Sequence, residues 1–243
     1  MAEFFCRSTG SAGSRGGSMH LLDKSVGMEG SSAIVGGAVP IAVGAALAIQ
    51  MKKEKRVVAL FFGDAATAEG VVWESLNFAA LKKLPILFIC ENNFYSVCSP
   101  LEFRQPIGVE IYKKAAAFGV PSQVVDGTNV LDVFEAVQVA KDHALKGQGP
   151  SFIETRSYRW RGHGGAGDDS HTGYRDPEEV MAWQKHCPID TYGEELKSRG
   201  ILTDSLIQQM EERIKIEFDE AFQYGQNSPD PVESDLYRHV YSD

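Results

Sequence analysis

Residues Arg56–Asn93 read RVVALFFGDAATAEGVVWESLNFAALKKLPILFICENN. Arg56–Phe62 is a continuous run of β-favouring residues that stops on Gly63-Asp64. Glu69–Lys83 carries Val72, Leu76, Ala79 and Ala80 at helical spacing, with no breaker after Gly70. Pro85–Cys90 is a second apolar run, ending on Glu91-Asn92-Asn93. Strands that are apolar on both faces and alternate with helices predict a parallel sheet covered on both sides.

The same alternation continues downstream. Tyr112–Phe118 reads as a helix, Gln123–Val125 as a short strand, Val130–Leu145 as an amphipathic helix ending near Gly147, and Ser151–Tyr158 as a further strand. After Arg159 the character changes. RWRGHGGAGDDSHTGYRDP has five glycines and no apolar period, which predicts a long mobile loop of the kind that carries function. Helices are expected from about Pro177, around Thr191–Arg199, and from Asp204 to about Tyr224. The expected organisation is one doubly wound α/β domain over 1–226, with a polar extension over 227–243.

Upstream, Ser31–Met51 holds no charged residue and is long enough to span a bilayer. Its Gly/Ala composition and central Pro40 favour a glycine-rich loop through Gly37 and then a soluble helix starting near Pro40, where proline suits the first turn. The formal net charge of −9 and pI near 5.2 argue against nucleic acid as the main partner. Cys6, Cys90, Cys98 and Cys187 have no metal-type CxxC spacing. A free buried thiol at Cys90 fits a reducing, cytoplasmic compartment better than a disulfide scaffold. MAEFFCRSTGSAGSRGG lacks a basic start and an apolar core, so it is not expected to be a secretory signal.

In a doubly wound sheet, ligands bind outside the carboxyl ends of the strands. Asp64 and Asn93 follow two consecutive strands at a spacing that suits one βαβ crossover. That puts a carboxylate and a carboxamide oxygen on one rim, beside a helix start. Two hard oxygen donors there suit Mg²⁺ or Ca²⁺ with phosphate oxygens completing the shell, and the small residues Gly63, Ala65 and Ala66 let backbone N–H groups approach those oxygens. Alone, Asp64 could be a helix cap and Asn92-Asn93 a turn. Together, at crossover spacing, they favour a metal–diphosphate site.

GDAATAEG followed by ENN resembles the thiamine-diphosphate signature, which begins Gly-Asp-Gly and closes on Asn-Asn. RGGSMHL (Arg15–Leu21), IVGGAVPIAVGAALA (Ile34–Ala48), ESLNFAALKKLPILFICENN and YRWRGHG occur in the order found in alpha subunits of the decarboxylating component of 2-oxo acid dehydrogenase complexes. The match extends from near Met1 to about Ile189. That resemblance implies Asp64 and Asn93 as side-chain metal ligands and Tyr95 as a backbone-carbonyl ligand. It implies diphosphate contacts at Gly63, Ala65 and Ala66, and cofactor contacts at Ala33 and Val35. His163 is the implied catalytic residue, facing cofactor and substrate. His20 is a weaker candidate, while His143, His186 and His239 read as helix-surface residues.

The third signature position is Ala65 instead of glycine, tolerable only at negative φ. Gly164 stands where mitochondrial pyruvate-oxidising relatives carry a regulatory serine. Family alpha subunits also have an N-terminal region ahead of RGGSMH, so the resemblance implies a truncated chain or one completed by another polypeptide. It further implies a beta-type subunit supplying the pyrimidine-binding domain and catalytic carboxylate, an α₂β₂ assembly, a 2-oxo acid substrate and acyl transfer to a lipoyl domain of an acyltransferase. An acetoin dehydrogenase or split transketolase-like subunit stays open, as does a non-catalytic partner-binding subunit. A haloacid-dehalogenase-type phosphatase would need a DxD strand upstream, which the sequence lacks.

Overall fold

A computed structural model describes every residue except 166, 168, 239 and 241–243. The chain divides into two compact units, one of residues 35–198, the other of 1–34 with 199–243.

The 35–198 unit is built on strands β1 (Val58–Gly63), β2 (Ile86–Asn92), β5 (Ser122–Asp126) and β6 (Ser151–Arg156), in the order β1-β2-β6-β5 and parallel throughout. A two-stranded antiparallel ribbon, β3 (Tyr95–Ser96) and β4 (Ser99–Pro100), follows β2. Among the described residues this unit has the α-helices α1 (Ala38–Met51), α2 (Gly70–Lys82), α3 (Ile111–Ala116), α4 (Val130–Leu145), α5 (Pro177–Gln184) and α6 (Pro188–Ser198).

Strand alternation divides the core between two faces. Ile86, Phe88 and Cys90 of β2 join Leu60, Phe62 and Phe152 in one cluster with Val39, Val43 and Ala46 of α1, Val72 and Leu76 of α2, and Ile111 of α3. Leu87 and Ile89 point the other way and meet Ile153 and the Ala136, Ala140 and Ala144 stripe of α4. Burial on both faces is why β2 reads as an unbroken apolar run. The doubly wound parallel architecture expected from the sequence is the one observed.

Pro40 is the third residue of α1, where its missing N–H costs no helix bond. The uncharged stretch therefore yields a helix of 14 residues, and among the described residues no helix is long and apolar enough to cross a membrane. Helix α4 spans the expected residues, started by Asn129, whose side chain accepts from the Leu131 and Asp132 N–H groups. Helix α2 ends on Lys83 in the left-handed conformation, φ 51°.

In the 1–34/199–243 unit, helix α7 (Asp204–Asn227) is capped by Thr203 and extends three residues past the expected end. Phe5 stacks edge-on against Phe222 with centroids 5.3 Å apart. Gly225 is required by that approach, since a Cβ there would lie 2.7 Å from the Phe5 ring. Arg7 pairs with Asp230, and Thr9 donates to Ser228 at 2.7 Å. Glu3 is buried and accepts from the N–H groups of Ala12, Ser14 and Gly16. Burial alone would raise its pKa, but these backbone donors outweigh it and hold the carboxyl below its ordinary value.

Candidate functional site

The strand register puts Asp64 and Asn93 at the same rim of the sheet. Gly63 pairs with Glu91 at the carboxyl end of β1 and β2, so both strands leave the sheet side by side. β1 runs into a 3-10 turn, Asp64–Ala68, that packs against the end of β2 and against β3. Thr67 Oγ1 donates to the Asp64 carbonyl at 2.7 Å and Trp73 Nε1 donates to the Thr67 carbonyl at 2.9 Å. Ala65 lies within this turn and is not among the positive-φ residues, so the departure from glycine is accommodated. Ala66 is buried.

Asp64 is 1% exposed, and its side chain caps no helix. Its Oδ2 instead accepts from Arg104 Nη2 at 2.5 Å. Asn93 Oδ1 accepts from the Tyr95 N–H at 3.0 Å, so this amide does make the turn that such a pair favours, while its oxygen keeps a second lone pair. Tyr95 opens β3, and its hydroxyl donates to Glu179 Oε2 at 2.8 Å. Burial first, then the bond to Glu179, pushes the Tyr95 phenol upward, so it stays a donor.

Val35 is exposed beside Gly36. Gly36 has φ +74°, and a Cβ there would lie 3.2 Å from Glu69 Cβ, which brings Val35 to the rim close to the start of α2. Ala33 is exposed and belongs to the other unit.

His163 lies in the 157–176 connection, exposed, with Nδ1 3.4 Å from Arg159 Nη1. The connection is fastened to the segment after Asn93. Arg159 Nη2 donates to the Val97 carbonyl at 2.8 Å, and Tyr158 and Tyr174 pack edge-on against Tyr95 with centroids 6.0 and 5.8 Å away. Arg175, whose side chain is fully buried, donates to the carbonyls of Arg159, Trp160 and Arg161 and to Asp169. The glycine-rich composition gave no hint of this clamp. His20 is exposed, His186 is exposed just past α5, His143 is half-buried in α4, and His239 lies outside the described residues.

Chemically, the rim offers one buried carboxylate, one carboxamide oxygen and peptide carbonyls, a hard-oxygen set suited to Mg²⁺ or Ca²⁺. Among the described residues no group of three or more His, Cys, Asp or Glu is placed to hold a metal. A cation at Asp64 would thus need neutral oxygens and the oxygens of an anionic ligand. The donor set fits a metal–diphosphate, with Arg104 already on one carboxylate oxygen. Arg104 and Glu179 went unread in the sequence because each acts through a contact between distant segments, and Arg175 because its contacts depend on how its own connection folds back.

The family model for the dehydrogenase E1 component matches residues 1–233. The alpha subunit of the pyruvate dehydrogenase E1 component of Porphyra purpurea is 36% identical over 250 residues, covering 100% of this chain and 72% of its own. The alpha subunit of acetoin:2,6-dichlorophenolindophenol oxidoreductase of Bacillus subtilis is 36% identical, covering 99% and 71%. The alpha subunit of 2-oxoisovalerate dehydrogenase of the same organism is 37% identical, covering 84% and 61%. The chain spans 58% of the length of a chloroplastic relative from rice. Matched over nearly its whole length by this model and by such relatives, the chain belongs to the dehydrogenase E1 component family.

Proposed function

We propose that the chain is the alpha-type subunit of a thiamine-diphosphate-dependent 2-oxo acid dehydrogenase, catalysing oxidative decarboxylation with acyl transfer to a lipoyl domain. The observation that carries this is the pairing of the Asp64 turn with the Asn93–Tyr95 segment at the carboxyl rim of β1 and β2, in a chain of this family.

In this reading Asp64, Asn93 and the Tyr95 carbonyl hold Mg²⁺ (Ca²⁺ would satisfy the same donors), and the backbone of Gly63, Ala65 and Ala66 cradles the diphosphate. Val35 borders the rings. When bound, thiamine diphosphate supplies the electron sink for decarboxylation. The buried Asp64 fixes the charge that binds the cation, and Asn93 is oriented by its own turn. His163 donates a hydrogen bond from a ring N–H to the substrate carboxylate or the diphosphate. The Arg159–Val97 bond and the Arg175 clamp hold its connection over the Asn93–Tyr95 segment. A beta-type subunit completes the site in an α₂β₂ assembly, in an aqueous compartment that we take to be the cytoplasm.

A second reading rests on a specific finding. The acetoin oxidoreductase subunit is as similar as the pyruvate-type one, so acetoin is a competing substrate. Co-expression with a beta-type subunit, followed by turnover assays on pyruvate, branched 2-oxo acids and acetoin, separates them. Decarboxylation that falls by about 10²-fold in His163→Ala supports the assignment. Turnover of acetoin alone replaces it with the second reading, and turnover of none of the three refutes both.

A further inference from the structure

Asp64 is 1% exposed and its Oδ2 is taken by Arg104 Nη2. The Arg104 side chain is itself 15% exposed, and its Nε is buried with no hydrogen-bond partner. The segment that delivers Arg104 is the one that begins at Asn93. The β3–β4 ribbon turns back, the Leu101 N–H donates to the Phe94 carbonyl at 2.7 Å, and a 3-10 turn over Leu101–Phe103 ends on Arg104. One excursion of the chain therefore carries an oxygen donor at its start and the counter-charge of Asp64 at its end.

A buried carboxylate without a partner is strongly destabilising, so a folded chain without a cation needs something positive at Asp64. A guanidinium and a divalent ion sharing one carboxylate repel each other. From this geometry we infer that Arg104 is the resident counter-cation of Asp64, which a divalent cation must displace to bind. This rests on the reading of Asp64 as a metal ligand and adds a positioning residue to it. Arg104 makes the 94–104 segment sensitive to cation loading. It also weakens apparent cation affinity in proportion to the small fraction of chains whose Asp64 is free.

The test uses the chain assembled with a beta-type subunit, stripped of metal with EDTA and dialysed, then titrated calorimetrically with Mg²⁺ at saturating thiamine diphosphate. Arg104→Met should bind Mg²⁺ about tenfold more tightly than wild type, Arg104→Lys should stay near wild type, and Asp64→Asn should lose binding. Equal affinity in Arg104→Met overturns the inference, and weaker affinity overturns it by making Arg104 a diphosphate ligand. Binding by Arg104→Met alone, with none by wild type, supports it. Binding by neither overturns it. If Asp64→Asn binds like wild type, the metal-site reading itself falls, whereas loss in Asp64→Asn without gain in Arg104→Met removes only the role of Arg104.

Chemical unfolding in EDTA gives a second readout. Each single variant should lower the midpoint, and the Asp64→Asn/Arg104→Met double variant should recover part of the loss. Additive losses overturn the pairing. Should Arg104→Met fail to fold, the Lys variant and the double variant carry the comparison.

Discussion

Asn92 on β2 donates its side-chain amide to Glu154 Oε1 on β6 at 2.8 Å, and both residues are 1% exposed. Asn92 Oδ1 accepts from the Phe94 N–H at 3.0 Å, and Glu154 Oε2 accepts from the Tyr112 N–H at 3.0 Å. The two consecutive asparagines thus have separate jobs. Asn92 fixes how the chain leaves the sheet, which leaves Asn93 at the rim.

Removing the shared acceptor exposes that division. Glu154→Leu orphans the buried Asn92 amide and the half-buried Tyr112 N–H and removes a partner of Arg156, so stability should fall by about 2–4 kcal/mol. Glu154→Gln keeps one acceptor oxygen and should lose less. Urea unfolding of both variants measures the difference, and equal losses would contradict the proposed sharing.

The four cysteines should separate by burial. Cys6 and Cys98 are exposed, while Cys90 and Cys187 are buried. Burial first, then the nearby Glu154 carboxylate, pushes the Cys90 thiol well above its ordinary 9.0. A disulfide reagent at pH 8 should label two thiols rapidly, with Cys90 reacting only on unfolding. Because the folded pKa is raised, this thiol's contribution to stability is complete below pH 9.0. It is lost as pH climbs from there toward the folded value, since only the unfolded chain releases the proton. Cys90→Ser should flatten that alkaline loss, which thermal unfolding against pH would record.

Arg175 is the anchor of the His163 connection. Arg175→Met leaves three backbone carbonyls and Asp169 without their buried donor. Trypsin cleavage after Arg159 and Arg161 should accelerate by about tenfold, equivalent to about 1.4 kcal/mol of local opening. Core stability should change far less, because β1, β2 and β6 do not depend on this clamp. Unchanged cleavage would mean that the carbonyl contacts do not hold the connection.

Where side-chain periodicity reports burial directly, the fold was legible. β2 is covered on both faces and α4 places alanines every fourth residue against the sheet, so each announced itself locally. The strand order was not legible, because β5 and β6 are joined by a crossover whose landing place depends on long-range pairing. The rim was legible through Asp64 and Asn93, since both end apolar runs. Arg104 sits in LEFRQP with no periodic signal, and its pairing with Asp64 is set by the path of the β3–β4 ribbon. Arg175 lies in a polar run that composition assigns to a mobile loop, yet it is among the most buried charges described. Burial of that kind comes from contacts that no local pattern encodes.

In the proposed site the Asp64 turn and the Asn93 segment together bind a metal–diphosphate. Calorimetric titration of thiamine diphosphate with Mg²⁺ tests it most directly, using the chain assembled with a beta-type subunit, wild type against Asn93→Ala and Asp64→Ala. Wild type should bind saturably, with binding weakened by at least about tenfold in Asn93→Ala and lost in Asp64→Ala. Wild-type affinity in both variants would contradict it.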